Sequence, residues 1–385
     1  MEQSCERAVE FQAPDGVILR GHYWPARGGA PMAGVIVNAA TGVQASYYHR
    51  YAAFLARQGF NVLTYDYRGI GASRPARLRG CGYTWREWGE LDFSAALGTL
   101  QGMGDAPVHV VGHSIGGILP GLSAGAPAVR RLLTVGAQYA WWPDYAASQR
   151  GKLFLKWHLL MPLLTALMGY FPGRRLGWLE DLPKGVALEW SFRGARMERS
   201  YPAGRRDEVL SRFEAVRSAI LAVAATDDEF ATRAAVRRGL SYFQNAERTF
   251  VALAPADLGM TRIGHFDLFH ARHEDGFWRA SAAWLATGVN PWPEKVASIT
   301  PDRRATGSGT ESALRSRRTA WRSFQVSRAT AKSLANVLEQ DDHLLNDVGL
   351  TRDQLCRELK KFGADGATLP ESDKKAARAP HDSPW

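Results

Sequence analysis

A serine between closely spaced glycines is the feature of this sequence that points most directly to chemistry. Gly112-His113-Ser114-Ile115-Gly116 matches the pattern G-x-S-x-G, between an apolar run and a segment with helical spacing. The glycines permit a turn so sharp that it lifts a serine hydroxyl above the edge of a sheet. We therefore predict that Ser114 is a nucleophile and that the Ile115 N–H faces the oxyanion formed on its substrate. A tight packing turn without chemistry is the alternative.

A serine hydroxyl needs a base and an orienting carboxylate to act as a nucleophile at neutral pH. Three acidic residues, Asp227, Asp228 and Glu229, follow the apolar run AILAVAA after one threonine, at the carboxyl end of a predicted strand. We choose Asp228 from its register after that strand and keep Asp227 as the alternative. His265, in the turn IGHF before the last predicted helix, is the candidate base.

The second oxyanion donor is expected in the loop after the apolar run GVIV, where small residues allow backbone N–H groups to approach a ligand. That loop is Asn38-Ala39-Ala40-Thr41-Gly42. We predict Ala40 as the donor and Thr41 as the second choice. The candidates for the substrate pocket are Thr41, His113, Trp141 and Trp142.

The segments that carry these motifs alternate between strand-like and helix-like patterns. A hairpin signal at Pro14-Asp15-Gly16 comes first, and buried strand patterns then alternate with helical patterns such as SYYHRYAAFLARQ. Such repeats predict an α/β fold with a mostly parallel central sheet and helices on both faces. Residues 138–205 lack this alternation and are rich in Trp, Leu and Arg, which predicts an inserted helical segment.

The order of these motifs resembles the α/β-hydrolase superfamily over residues 10–290. The resemblance rests on GVIVNAATGVQASYYHRYAAFLARQGFNVLTYDYRGIGAS, GHSIGG, TDDEF and IGHF. More narrowly, the chain is similar to bacterial predicted hydrolases near the serine aminopeptidase and monoacylglycerol-lipase branch. This resemblance implies that Ser114, Asp228 and His265 form a catalytic triad and that the insertion is a lid. Asn38-Ala39 stands where the family commonly has His-Gly, which is a departure in the oxyanion loop.

The expected activity is that of a serine hydrolase that cleaves small-molecule esters with an apolar acyl part through an acyl-enzyme. A peptidase, an amidase or an acyltransferase would use the same triad, and a catalytically idle scaffold is the alternative outside the enzyme classes. No metal or organic cofactor is expected. Cys5, Cys81 and Cys356 are far apart and form no metal-binding or disulfide pattern, so we expect a cytoplasmic location.

Composition and charge exclude several other classes of protein. The 385 residues are 45% hydrophobic and 22% charged, which is typical neither of a disordered chain nor of a multi-span membrane protein. Lys156, His158 and Pro162 interrupt the apolar residues 153–171, so no transmembrane segment is predicted. The net charge of +10 is concentrated in the insertion and in one C-terminal helix. For the insertion we favour solvated charge, with anionic substrates or peripheral membrane contact as alternatives.

The C-terminal part differs in composition from the rest of the chain. We predict a hydrolase-like domain over residues 1–290, a linker over 291–310, a small basic helical domain over 311–365 and a disordered tail over 366–385. The small domain resembles a bacterial arginine-rich, YjiS-like domain of unknown function, through Trp321-Arg322 and the run LLNDVGLTR. Its basic helix suggests RNA or a protein as partner, and the absence of a separate role is the third interpretation.

Overall fold

The computed structural model describes residues 6–299. Nine of the eleven strands in this range form one sheet. The predicted basic domain, the tail and most of the predicted linker lie outside the described residues. The strands in chain order are β1 (Arg7–Gln12), β2 (Ile18–Trp24), β3 (Ala33–Asn38), β4 (Phe60–Tyr65), β5 (Val108–His113), β6 (Val129–Val135), β7 (Tyr170–Phe171), β8 (Leu182–Pro183), β9 (Ala219–Ala225), β10 (Glu247–Leu253) and β11 (Val296–Ala297).

The sheet is mostly parallel, as the sequence predicted. Its strand order is β1-β2-β4-β3-β5-β6-β9-β10-β11, and every neighbouring pair from β4 to β10 is parallel. Antiparallel pairs occur only toward the edges of this sheet. β1 and β2 form the predicted hairpin, and the pairs β2–β4 and β10–β11 are also antiparallel. All residues of β3 and β5 are buried, since layers of structure cover both faces of these central strands.

Helices connect the parallel strands. They are α1 (His49–Arg57), α2 (Trp85–Glu87), α3 (Phe93–Gln101), α4 (Arg150–Phe154), α5 (Met161–Met168), α6 (Gly173–Leu176), α7 (Lys184–Ser191), α8 (Arg206–Ala215), α9 (Arg233–Leu240) and α10 (Arg279–Thr287). The connection through α1 runs from β3 to β4, and the one through α3 runs back from β4 past β3 to β5. Right-handed crossovers in opposite directions place α1 and α3 on opposite faces of the sheet.

A long helical segment lies between β6 and β9, where the sequence predicted the insertion of residues 138–205. It contains α4 to α8, and a π-helical stretch, Leu155–Leu160, joins α4 to α5. The segment also contains the small antiparallel pair β7–β8. Two residues per strand are too few to leave an alternating pattern in the sequence, so this pair was not predicted.

Two details of the predicted organisation need correction. The helix expected after Ser114 is instead a pair of 3₁₀ turns, Ser114–Gly117 and Leu119–Leu122, because Pro120 lacks the N–H that an α-helix needs there. The linker predicted from residue 291 begins later, since β11 adds to the edge of the sheet. Within residues 6–299 no helix is both long and apolar enough to cross a membrane.

Candidate active site

Ser114 lies in a strained turn directly after β5. It has a φ of 55°, a left-handed backbone conformation that residues other than glycine rarely adopt. The flanking glycines are required sterically. A Cβ on Gly112 would lie 2.4 Å from the Cα of Gly117, and one on Gly116 would lie 2.5 Å from the carbonyl oxygen of Asn38. The surrounding backbone therefore holds the serine in a conformation that an unconstrained chain would leave.

Asp228 and His265 form a buried pair at the carboxyl edge of the same sheet. The His265 Nδ1 and Asp228 Oδ2 atoms are 2.7 Å apart, and both side chains are almost fully buried. The second oxygen of Asp228 accepts the N–H groups of Phe230 and Ala231, each at 2.8 Å. Because the carboxylate accepts a hydrogen bond from Nδ1–H, the proton of the neutral imidazole is on Nδ1 and its lone pair is on Nε2.

Asp227 has a different partner, although it is the next residue in the chain. Its carboxylate accepts the N–H of Ile263 at 2.9 Å and that of Gly264 at 3.0 Å. These bonds hold the turn that carries His265, so Asp227 supports the base through the backbone. Of the three consecutive acidic residues, the structure thus brings Asp228 to the imidazole.

Ser114, Asp228 and His265 line one cavity of about 910 Å³. Its wall also includes Ile115 and Thr41. The Gln138 side-chain nitrogen lies 3.5 Å from the Ser114 Oγ, at the long limit of a hydrogen bond. A serine hydroxyl, an imidazole oriented by a carboxylate and the residues Ile115 and Thr41 therefore line one cavity, and an enzyme of acyl transfer needs a serine and an oriented imidazole in such proximity.

The predicted second oxyanion donor, Ala40, is already hydrogen-bonded. Its N–H donates to the Tyr48 hydroxyl oxygen at 3.0 Å. Tyr48 is fully buried, and no pattern in the sequence indicates that its hydroxyl reaches the loop after β3. The first choice of donor is therefore corrected, and Thr41, the second choice, remains as a residue of this loop that lines the cavity.

His113 connects the oxyanion loop to the turn of the base. Its Nε2 lies 2.9 Å from the carbonyl oxygen of His265, and its Nδ1 lies 2.7 Å from the Tyr48 hydroxyl. A carbonyl can only accept, so Nε2 carries the proton and Tyr48 donates to Nδ1. Burial lowers the pKa of His113 well below its usual range, which keeps the ring neutral and preserves this order of donors.

Asn38 performs a similar bridging role in place of the family's usual histidine. Its side-chain nitrogen donates to the Gly116 carbonyl at 3.1 Å, and its oxygen accepts the Tyr65 hydroxyl at 3.0 Å. The residue is fully buried. The amide therefore ties the end of β3 to the turn that carries Ser114.

Of the predicted pocket residues, only Thr41 lines the cavity. His113 is completely buried behind it, in the network described above. Trp141 lies under the guanidinium of Arg238, 4.0 Å from the ring centroid, and Trp142 packs against Phe154. Trp141 thus packs against a residue of α9 and Trp142 against a residue of the insertion, and neither they nor His113 line this cavity.

Several residues that line the cavity are not among the four predicted pocket residues. Four tryptophans line the cavity, namely Trp85, Trp157, Trp178 and Trp190. Gly136, just after β6, has a φ of 57°, and a Cβ there would lie 3.1 Å from Asp228 Oδ2 and 3.2 Å from the His265 ring. A glycine at the end of a predicted strand is a sequence signal from which this close approach could have been predicted.

The described residues contain one group whose spacing would suit a metal ion. Glu6, His22 and His49 offer ligand atoms within 4.8 Å of one another. The group lies on β2, α1 and the segment before β1, and none of the three lines the cavity.

Comparison with known proteins agrees with the fold. A sequence model of the Alpha/beta hydrolase family matches residues 35–275. The structure of DcsB with its substrate analogue is 17% identical, covers 74% of this chain and 100% of its own, and has a TM-score of 0.51. No curated protein matches significantly.

Two further solved structures resemble the chain at lower TM-scores. The esterase domain of a Rhodothermus marinus protein is 20% identical over 73% of this chain and 98% of its own, with a TM-score of 0.43. The Paleococcus ferrophilus monoacylglycerol lipase is 14% identical over 74% and 99%, with a TM-score of 0.45. Identities this low speak to the fold alone.

Proposed function

Because the chain belongs to the alpha/beta hydrolase family, we propose that it is a serine hydrolase that cleaves carboxylic esters with an apolar acyl part. The observation that carries the proposal is the 2.7 Å contact of His265 Nδ1 with Asp228 Oδ2 in the wall of the cavity that holds Ser114. Ser114 is then the nucleophile, His265 the general base and Asp228 the residue that orients the imidazole.

Acylation begins with attack of the Ser114 Oγ on the ester carbonyl carbon, while the His265 Nε2 takes the hydroxyl proton. The oxyanion accepts a hydrogen bond from the N–H of Ile115. We assign the second donor to the N–H of Thr41, because the Ala40 N–H donates to the Tyr48 hydroxyl. Collapse of the tetrahedral intermediate breaks the bond to the leaving oxygen, which takes the proton from His265. Water then repeats these steps on the acyl-enzyme and releases the acid.

The apolar acyl preference rests on the wall that the insertion contributes. Trp157, Trp178 and Trp190 belong to the insertion and line the cavity. Large aromatic faces bind hydrocarbon chains by removing apolar surface from water. In this proposal the insertion acts as a lid over the acyl site.

The proposal is tested with 4-nitrophenyl esters from acetate to laurate. Ser114→Ala is expected to lower kcat/KM at least about 10³-fold, because no other group replaces the nucleophile. Ser211→Ala, on the exposed surface of α8, is the matched control and should resemble the wild type. Equal turnover by Ser114→Ala and the wild type would contradict the assignment.

A fluorophosphonate probe separates the proposal from an idle scaffold. Labelling of the folded protein at Ser114, located by peptide mass spectrometry, is expected only for an activated serine. Adding alcohol or amine acceptors to the ester assay distinguishes hydrolysis from acyl transfer, since the fold does not determine the acceptor.

A further inference from the structure

The insertion places a cation in the wall of the cavity that contains Ser114 and His265. The ammonium of Lys156 lies 4.1 Å from the ring centroid of Trp178 and 4.6 Å from that of Trp157, and all three residues line the cavity. Among residues 6–299, no carboxylate oxygen comes within 4.0 Å of this ammonium. Within this part of the chain the lysine is thus half-buried between two aromatic faces, and Glu229 acts on its charge without forming an ion pair with it.

The surroundings of Lys156 favour an incoming negative charge. The pKa of Lys156 is lowered to about 8, chiefly by burial and also by the positive charge of Lys152, against the smaller opposing effect of Glu229. Lys152 lies four residues earlier, on the same face of the helix, and also lines the cavity. A pKa of about 8 leaves the amine mostly charged at pH 7, and an anion beside it would restore the interaction that burial removes.

The balance of charges around the cavity supports the same conclusion. Its lining cations are Lys152, Lys156, Arg233 and Arg262, and its lining carboxylates are Asp227, Asp228 and Glu229. Four cations against three carboxylates leave this lining with a formal charge of +1, not counting His265, because hydrogen bonds from neutral N–H groups leave the charge of Asp227 in place. Of these carboxylates, Glu229 is the one that acts on Lys156.

We propose, building on the serine hydrolase function above, that Lys156 binds a carboxylate on the substrate, so that the preferred esters carry an acyl chain ending in an anionic group. The tryptophans contact the methylene chain, and the ammonium receives the carboxylate at its end. A volume of about 910 Å³ has room for such a chain. The substrate class is therefore the half-ester of a dicarboxylic acid.

The kinetic test compares 4-nitrophenyl half-esters of hexanedioic to decanedioic acid with the unsubstituted acyl esters of the same lengths. The wild type is expected to prefer the half-esters. In Lys156→Met the ratio of kcat/KM for charged over neutral ester should fall about tenfold or more, which is the worth of a hydrogen bond to a charged group. Lys156→Arg should retain most of this ratio.

Lys184→Met provides the matched control, because Lys184 is an exposed lysine of the same insertion that does not line the cavity. Its ratio should equal that of the wild type. An unchanged ratio in Lys156→Met, in protein whose circular dichroism and melting temperature show that it is folded, overturns the proposal.

A binding measurement keeps this inference separate from the proposed activity. Calorimetric titration of the wild type with octanedioate and octanoate needs no turnover. Lys156→Met should weaken octanedioate binding about tenfold relative to octanoate. Selective weakening supports the carboxylate site even if no ester is cleaved, in which case only the hydrolase function fails. Equal affinities of the variant and the wild type for octanedioate reject the site, whatever the ester assay shows.

Discussion

At the scale of single residues, two adjacent aspartates hold His265 in different ways. Asp228 contacts the imidazole itself, whereas Asp227 holds the backbone two residues before it and the glycine beside it. The difference arises because consecutive residues after a strand point in different directions. One carboxylate is therefore expected to act on the protonation of His265 and the other only on its position.

Amide substitutions separate these two roles. Asp228→Asn should lower kcat by about 10³–10⁴-fold, because an amide can no longer hold the productive tautomer of the imidazole. Asp227→Asn retains one acceptor oxygen and should cost about 1–2 kcal/mol of stability, with a much smaller loss of kcat. Steady-state kinetics and urea unfolding of both variants measure the two effects. A loss of kcat in Asp227→Asn as large as that in Asp228→Asn would reverse the assignment.

The sequence motifs indicated which residues lie together, but not the contacts that support them. Ser114, Asp228 and His265 were predicted to lie close to one another, and all three line one cavity. The engagement of Ala40 by Tyr48 could not be predicted, because a tyrosine eight residues away in a helical pattern has no sign of where its hydroxyl points. His113 was misplaced for the same reason, since its partners lie 65 and 152 residues away in the chain.

At the scale of elements, the strands of six or seven residues were predictable from the sequence, and the two-residue strands β7, β8 and β11 were not. Strands of six or seven residues leave patterns of buried residues that a reader of the sequence can find. β11 has two residues and lies among prolines and small residues that are typical of a linker. Its place in the sheet depends on contacts that have no periodicity, such as the stacking of Trp292 on Phe277 with ring centroids 5.8 Å apart.

This closing segment is expected to stabilise the domain measurably. A chain ending at Val289 should melt about 4–8 °C below one ending at Ser308, because it loses the strand pairing and roughly 2 kcal/mol from burial of one large aromatic side chain. Calorimetry of the two truncated chains makes the comparison. Trp292→Ala in the longer chain should reproduce part of the loss. Equal melting temperatures would show that the domain ends before residue 291, as the composition first suggested.

At the scale of the whole molecule, several histidines are buried in the neutral state. Burial lowers the pKa of His109 and of His158 to about 4, and lowers that of His113 further. Asp92 has the opposite effect on the proton balance, because its pKa is raised to about 7, chiefly by burial. Arg68, whose Nε lies 2.6 Å from the Asp92 Oδ1, lowers this pKa but does not cancel the effect of burial. Unfolding at mildly acidic pH is therefore expected to bind protons at these histidines and to release a proton from Asp92.

His109 offers the clearest test of this linkage between protons and stability. Its pKa is 6.5 when unfolded and about 4 when folded, so the unfolded state binds the extra proton and stability is lost as pH falls below 6.5. Between pH 7.5 and pH 5 this single group should remove about 2 kcal/mol from the free energy of unfolding.

His109→Gln keeps an acceptor for Arg131, which lies 3.4 Å from His109 Nε2, and has no titrating ring. Urea unfolding at the two pH values should therefore show a decrease about 2 kcal/mol smaller in the variant than in the wild type, while contributions from Asp92 and the other histidines cancel in the comparison. The same decrease in both proteins would mean that the folded chain admits a proton at His109, and the buried strand β5 would then have to open to water near pH 5.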